Sequence, residues 1–132
     1  MGTRWDVQSH EDKYSSGIPD LSFGIGGHNG WIELKQVDKY GKGDNPIIKP
    51  KKYTPIQVNW INKRLKYAKN SCFVFVKVEN DYYLFEGGFA KKIAEGQTRA
   101  WYRVMSTHWY EGRIYPDHLA SLLIKELGAP HA

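Results

Sequence analysis

The chain has 132 residues, 41% of them hydrophobic and 25% charged, the balance of an ordinary globular protein with room for one core. Its single cysteine, Cys72, excludes an internal disulfide and a Cys-rich zinc site and reads as a core thiol. No N-terminal apolar stretch has the make-up of a leader, and no run is long enough to cross a bilayer, so a reducing cytoplasm and no membrane are expected. The formal charge of +5 favours a polyanionic partner, and aromatics at 14% serve either a core or base stacking.

In chain order, residues 5–11 read as a strand, residues 15–17 as a turn and residues 18–23 as a short strand with Pro19 near its start. Residues 24–30, rich in glycine, read as a hairpin loop with Asn29-Gly30 as its turn pair. Residues 31–37 form the next strand. Residues 39–52 carry five Lys, two Gly and two Pro against one acid, the composition of a mobile basic loop. Thr54 then stands as the N-cap, and Pro55 as the first residue, of a helix running to about Ala68. Ile56, Trp60, Ile61, Leu65 and Ala68 follow its apolar spacing.

Residues 73–78 form an apolar run consistent with a buried strand, and residues 82–85 pair with it across Asn80-Asp81. A short helix over residues 88–94, a strand over 99–105, a helix over 117–127 and a frayed tail over 129–132 complete the pattern. The aromatic clusters at residues 101–103 and 108–110 either stack on bases or pack a sheet or subunit interface. The whole reads as a single α/β domain over residues 1–132, a mixed central sheet flanked by helices.

Strand side chains alternate between faces, so Glu33 and Lys35 share one face while Ile32 and Leu34 point to the core. The preceding strand brings Asp20 beside Glu33. Two carboxylates and one ammonium thus converge, an arrangement that suits Mg²⁺ or Mn²⁺ bound by a few carboxylate oxygens, water and a substrate phosphate. Asp20 and Glu33 are the candidate metal ligands, with the Leu34 carbonyl as an extra one, and Lys35 places or activates water.

These residues resemble the PD-(D/E)XK nuclease superfamily. Gly17-Ile18-Pro19-Asp20 followed by Trp31-Ile32-Glu33-Leu34-Lys35 is similar to its signature, and the VRR-NUC-type nucleases, related to Holliday-junction resolvases and common in phages, are the nearest subgroup. The resemblance covers residues 5–78. It implies a restriction-endonuclease-like core, a function for Gln57 on the following helix in contacting the active centre or the DNA backbone, and a homodimer in a bacterial or phage-infected cell. The chain departs from the pattern in one respect. Only 19 residues precede Asp20, too few for a strand and a full acid-bearing helix, so that acid is either absent or replaced; Glu11 is the best substitute metal ligand, and its alternative is an exposed charge in the run 10–13.

The expected activity is hydrolysis of DNA phosphodiesters by a Mg²⁺-dependent endonuclease, with junction or branched DNA as a substrate and no small-molecule cofactor. Lys39, Lys42, Lys49, Lys51 and Lys52 of the basic loop, with Lys63 and Arg64, would grip phosphates. Two other readings remain open at this level: a catalytically silent module that binds nucleic acid or protein, and a subunit of a restriction or recombination complex.

Overall fold

The structure, a computed structural model, describes residues 6–9, 19–25, 28–69 and 71–112. The expected helix over 117–127, the tail over 129–132, the turn over 15–17 and Glu11 lie outside the described residues. Among the described residues no helix is long and apolar enough to cross a membrane.

A six-stranded mixed sheet organises the chain, in the order β1-β2-β3-β5-β6-β8. Its first three strands, β1 (Asp6–Ser9), β2 (Leu21–Ile25) and β3 (His28–Val37), are antiparallel neighbours. Strand β5 (Cys72–Val78) runs parallel to β3, and β6 (Asp81–Glu86) and β8 (His108–Glu111) add antiparallel to it in turn. A parallel pair needs a crossover connection. Helix α1 (Pro55–Tyr67) lies on that connection and packs against β5.

β5 is the hub because its sequence, Cys-Phe-Val-Phe-Val-Lys-Val, suits burial on both faces. Cys72, Val74, Val76 and Val78 join Val58 and Ile61 of α1 in the larger core cluster. Phe73 and Phe75 pack on the opposite face with Phe23, Ile32 and Leu84. Cys72 is buried in the larger cluster, and burial pushes its thiol pKa up, as suits a packing residue.

Several sequence expectations change in three dimensions. Residues 99–105, read as a strand, form helix α3 (Arg99–Met105). The Thr98 hydroxyl accepts a hydrogen bond from Trp101 N at 3.1 Å and starts the helix, and Tyr102 packs edge-on against Tyr83 and Phe85. Trp101 stacks on Phe85 and Trp109 on Tyr83, so these aromatics serve packing. The glycine-rich segment is mostly strand: Asn29 pairs with Gly24 and Gly30 with Phe23. The β5–β6 reversal uses Glu79 and Asn80, one residue earlier than expected, with Glu79 at φ 53°.

The short helical stretch expected over 88–94 is a 3₁₀ turn at Gly87–Phe89 leading into α2 (Ala90–Glu95). On α1, Ile61 is buried as expected, but Ile56 is exposed and Val58 takes the core position. Leu34 does share its face with Ile32, yet it is 41% exposed where Ile32 is fully buried. It lines a shallow cleft with Leu21, Phe75 and Tyr82 at the margin of the smaller core cluster.

The basic segment 39–52 is anchored. Its β4 (Ile47–Ile48) pairs with β7 (Gln97–Thr98), and Pro46, Ile48 and Pro50 are buried. Arg99 N donates to Pro46 O at 2.9 Å, the Arg99 guanidinium donates to Asp44 O at 2.6 Å, and Ala100 N donates to Asn45 Oδ1 at 2.9 Å.

Gly30 lies where β3 meets a ring and a backbone at close range. A Cβ there would stand 2.4 Å from Phe23 Cζ and 2.7 Å from Ser71 O. Gly30→Ala is therefore expected to destabilise the protein by about 2 kcal/mol or more, read as a lower urea midpoint at unchanged m-value.

Candidate active site

The site grows from the middle of β3. Alternation sends Trp31, Glu33 and Lys35 to the helix side of the sheet, and the register that pairs Leu21 with Ile32 brings the residue before Leu21, Asp20, level with Glu33. Asp20 is fixed from below: its Oδ2 accepts a hydrogen bond from Leu34 N at 2.9 Å.

Glu33 is 1% exposed. Its Oε1 lies 3.3 Å from Lys35 Nζ, while its Oε2 is buried and has no hydrogen-bond partner among the described residues. Burial foremost, and then the neighbouring Asp20 charge, push the Glu33 carboxyl up to about 8 against the downward pull of Lys35. A buried charge with one unserved oxygen is costly unless a proton or a cation completes it.

Lys35 is held on three sides. Nζ donates to Lys52 O at 2.9 Å and to Gln57 Oε1 at 3.1 Å, and it meets Glu33 Oε1. The Tyr53 ring lies 4.6 Å from the ammonium, a cation–π contact. Tyr53 was not singled out by sequence reasoning. It is buried, its hydroxyl has no hydrogen-bond partner among the described residues, and its pKa is raised chiefly by burial. The only local hint was its position just before the helix start.

Gln57 belongs to the site through the geometry of α1. Thr54 Oγ1 accepts from Gln57 N at 3.3 Å and Thr54 N donates to Gln57 Oε1 at 3.0 Å, a capping box that leaves the Gln57 side chain turned back toward β3. From there Nε2 reaches Glu33 Oε1 at 3.5 Å, at the limit of a hydrogen bond. Gln57 therefore contacts the side chains of the centre and links the start of the helix to them.

Asp20, Glu33, Leu34, Lys35 and Gln57 line one cleft of about 450 Å³, whose rim includes Lys51 and Lys52. An adjoining depression of about 370 Å³ is lined by Lys39, Lys49 and Lys51 and shares Gln36 with the first. Four of the five loop lysines thus border these two clefts. Lys42 and Lys63 are exposed and line neither, and Arg64 stands at the other end of α1, its guanidinium 5.9 Å from the rings of both Trp31 and Trp60.

Among the described residues no group of three or more His, Cys, Asp and Glu side chains is arranged to hold a metal ion. The donors gathered here are two carboxylates. That set, with one buried oxygen left unserved, fits a hard divalent cation that keeps its other positions for water and a phosphate.

The solved structure of a bacterial homing endonuclease, I-Ssp6803I, is similar in fold to this chain: the TM-score is 0.50 at 16% identity, over 95% of this chain and 80% of that one. At that identity the likeness concerns the fold, a nuclease fold with a mixed sheet and flanking helices. No family model and no curated protein matches the sequence.

The raised Glu33 pKa fixes the sign of a pH effect. Between pH 4.5, the ordinary value, and about 8 the folded chain holds a proton that the unfolded chain has lost, so stability of the metal-free protein falls as pH rises through that window. Thermal melts across the range should show this slope in wild type and a flatter one in Glu33→Gln. Added Mg²⁺ should raise the melting temperature of wild type more near pH 8 than near pH 5, because the ion competes with the proton.

Proposed function

We propose that the chain is a metal-dependent endonuclease of the PD-(D/E)XK type that hydrolyses DNA phosphodiester bonds with Mg²⁺ or Mn²⁺. The observation that carries this reading is the cleft in which Asp20, Glu33 and Lys35 converge and in which a buried Glu33 oxygen has no hydrogen-bond partner among the described residues. The fold shared with a homing endonuclease supports DNA as the substrate. The spacing of Pro19-Asp20 and Glu33-Leu34-Lys35 supports the superfamily and its VRR-NUC-type branch.

Asp20 and Glu33 hold the metal, with the Leu34 carbonyl as a further ligand. When bound, the ion acts as a Lewis acid on the phosphoryl group and lowers the pKa of water. The rest is done by the chain. The Leu34 amide fixes the Asp20 carboxylate in one orientation. Lys35, pinned by Lys52 O and Gln57, offers a preorganised positive charge to the phosphoryl oxygens as negative charge builds on them. To help place a water, Lys35 exchanges one of these contacts for it. Gln57 acts as a positioning residue for Lys35 and Glu33. Lys51 and Lys52 at the rim, with Lys39 and Lys49 beyond, hold the phosphates that flank the cut.

Two-strand cleavage of junction or branched DNA by a homodimer is the form of the activity that the superfamily resemblance supports. The test is purified protein with linear, nicked and branched DNA, with and without Mg²⁺ or Mn²⁺. Cutting is expected only with metal, and Asp20→Ala or Glu33→Gln should slow it about 100-fold or more. Cutting that Asp20→Ala leaves undiminished, or wild-type protein that cuts no DNA with either ion, rejects the proposal.

A further inference from the structure

The helix side of the sheet does not end at the two acids. By register, Gln8 faces Ser22 and Ser22 faces Trp31, while Asp6 faces Gly24 and Gly24 faces Asn29. Period-two alternation puts this set on the same face as Glu33 and Lys35. The face of β5 is covered by α1, but Asp6, Gln8 and Asn29 are exposed, and an open cleft of about 390 Å³ lies over them. Asp6, Gln8, Ser22, Asn29 and Trp31 line it from the sheet, and Arg64 closes it from α1, held against the indoles of Trp31 and Trp60.

The chemistry of this cleft differs from that of the lysine-lined depression on the other side of the centre. A surface that holds a phosphate backbone is lined with cations. This one presents an amide on each of two strands, an acid and a single oriented arginine. Amides pair with the adenine edge, arginine with guanine and a carboxylate with the cytosine amino group, and a ribbon of antiparallel strands fits the major groove. Asp6 would repel phosphate but suits a base edge.

We propose that this face reads base edges in the major groove of duplex DNA, to one side of the bond that is cut; the inference rests on the nuclease reading above. Along β2, Ser22 and Gly24 stand about 7 and 13 Å beyond Asp20 at ~3.3 Å per residue. At ~3.4 Å per base pair, the bases read are roughly two to four pairs from the scissile phosphate. Gln8 and Asn29 are the specificity-determining residues, and Arg64 adds a guanine contact.

The experiment selects a randomised duplex library for binding to wild-type protein with Ca²⁺ in place of Mg²⁺, and sequences what is retained. A base preference confined to a few adjacent positions is expected. Gln8→Ala and Asn29→Ala should each cut the preference at one of those positions about tenfold. Lys51→Ala should weaken binding to all sequences alike and leave the preference ratio in place. Uniform retention of all sequences, a preference that neither substitution changes, or no binding to duplex at all overturns the inference. Cutting in Mg²⁺ without any base preference sinks this inference alone. A Gln8-dependent preference without cutting keeps this face as a reader of base edges and removes the hydrolytic reading, and with it the placement beside a cut bond.

Discussion

Glu33 is a carboxyl group carried into the interior by the strand that also pairs with the hub of the sheet. β3 bonds to β2 on one edge and β5 on the other, so its backbone is fixed over most of its length. The side chain cannot retreat to water without unpairing a central strand. Its Oε1 is answered by Lys35 and distantly by Gln57, and its Oε2 meets no hydrogen-bond donor among the described residues. An enclosed carboxyl of this kind is tolerated only if something else is gained by keeping it there, because an apolar residue of similar size would cost less.

The start of α1 shows how tightly local folding and the centre are joined. Thr54 and Gln57 satisfy each other's backbone groups in the first helical turn, and the same Gln57 Oε1 accepts from Lys35. One oxygen serves a helix end and an ammonium at once. Lys52 O, two residues before the cap, accepts from the same ammonium. The end of the basic segment, the helix start and the middle of β3 are thereby fastened at a single nitrogen, and the orientation of Lys35 is set by main-chain structure as much as by side-chain packing.

What the sequence revealed follows from how far each signal reaches. The two-residue period of β3 is local, so the common face of Glu33 and Lys35 was legible, as were the Thr54-Pro55 helix start and the buried run of β5. Exposure of Leu34 was not, because the alternation rule assigns a face without saying what covers it. Helix α3 was misread because Trp101, Tyr102 and Val104 are strand-favouring residues, and the deciding features, a Thr98 cap and the ring contacts of Tyr102 with Tyr83 and Phe85, involve a cap easily passed over and partners far away in sequence. Asn29-Gly30 has the composition of a turn, but the space between Phe23 and Ser71 demands a residue without a side chain inside the strand. The ties that hold residues 44–46 to Arg99 and Ala100 span more than fifty positions, with a separation of 55 for the Asp44 and Asn45 contacts, and nothing in the basic stretch itself announces them.

Those ties divide the basic segment into two mechanical parts. Downstream of Asp44 the chain is clamped by α3, by the β4–β7 pair and by the Lys35 contact to Lys52 O, so the spacing of Lys49, Lys51 and Lys52 is dictated by the body of the protein. Upstream, Gly43 sits at φ +98°, and among the described residues beyond its two chain neighbours no atom lies within 4 Å of where its Cβ would be, which makes it a bare apex. Length is therefore cheap at the apex and dear below it: extra residues inserted around Lys42 and Gly43 would extend the reach of the segment outward while the lysines nearest the cleft keep their places, since loop closure costs grow only slowly with length. The segment is built so that its reach and its grip can change independently.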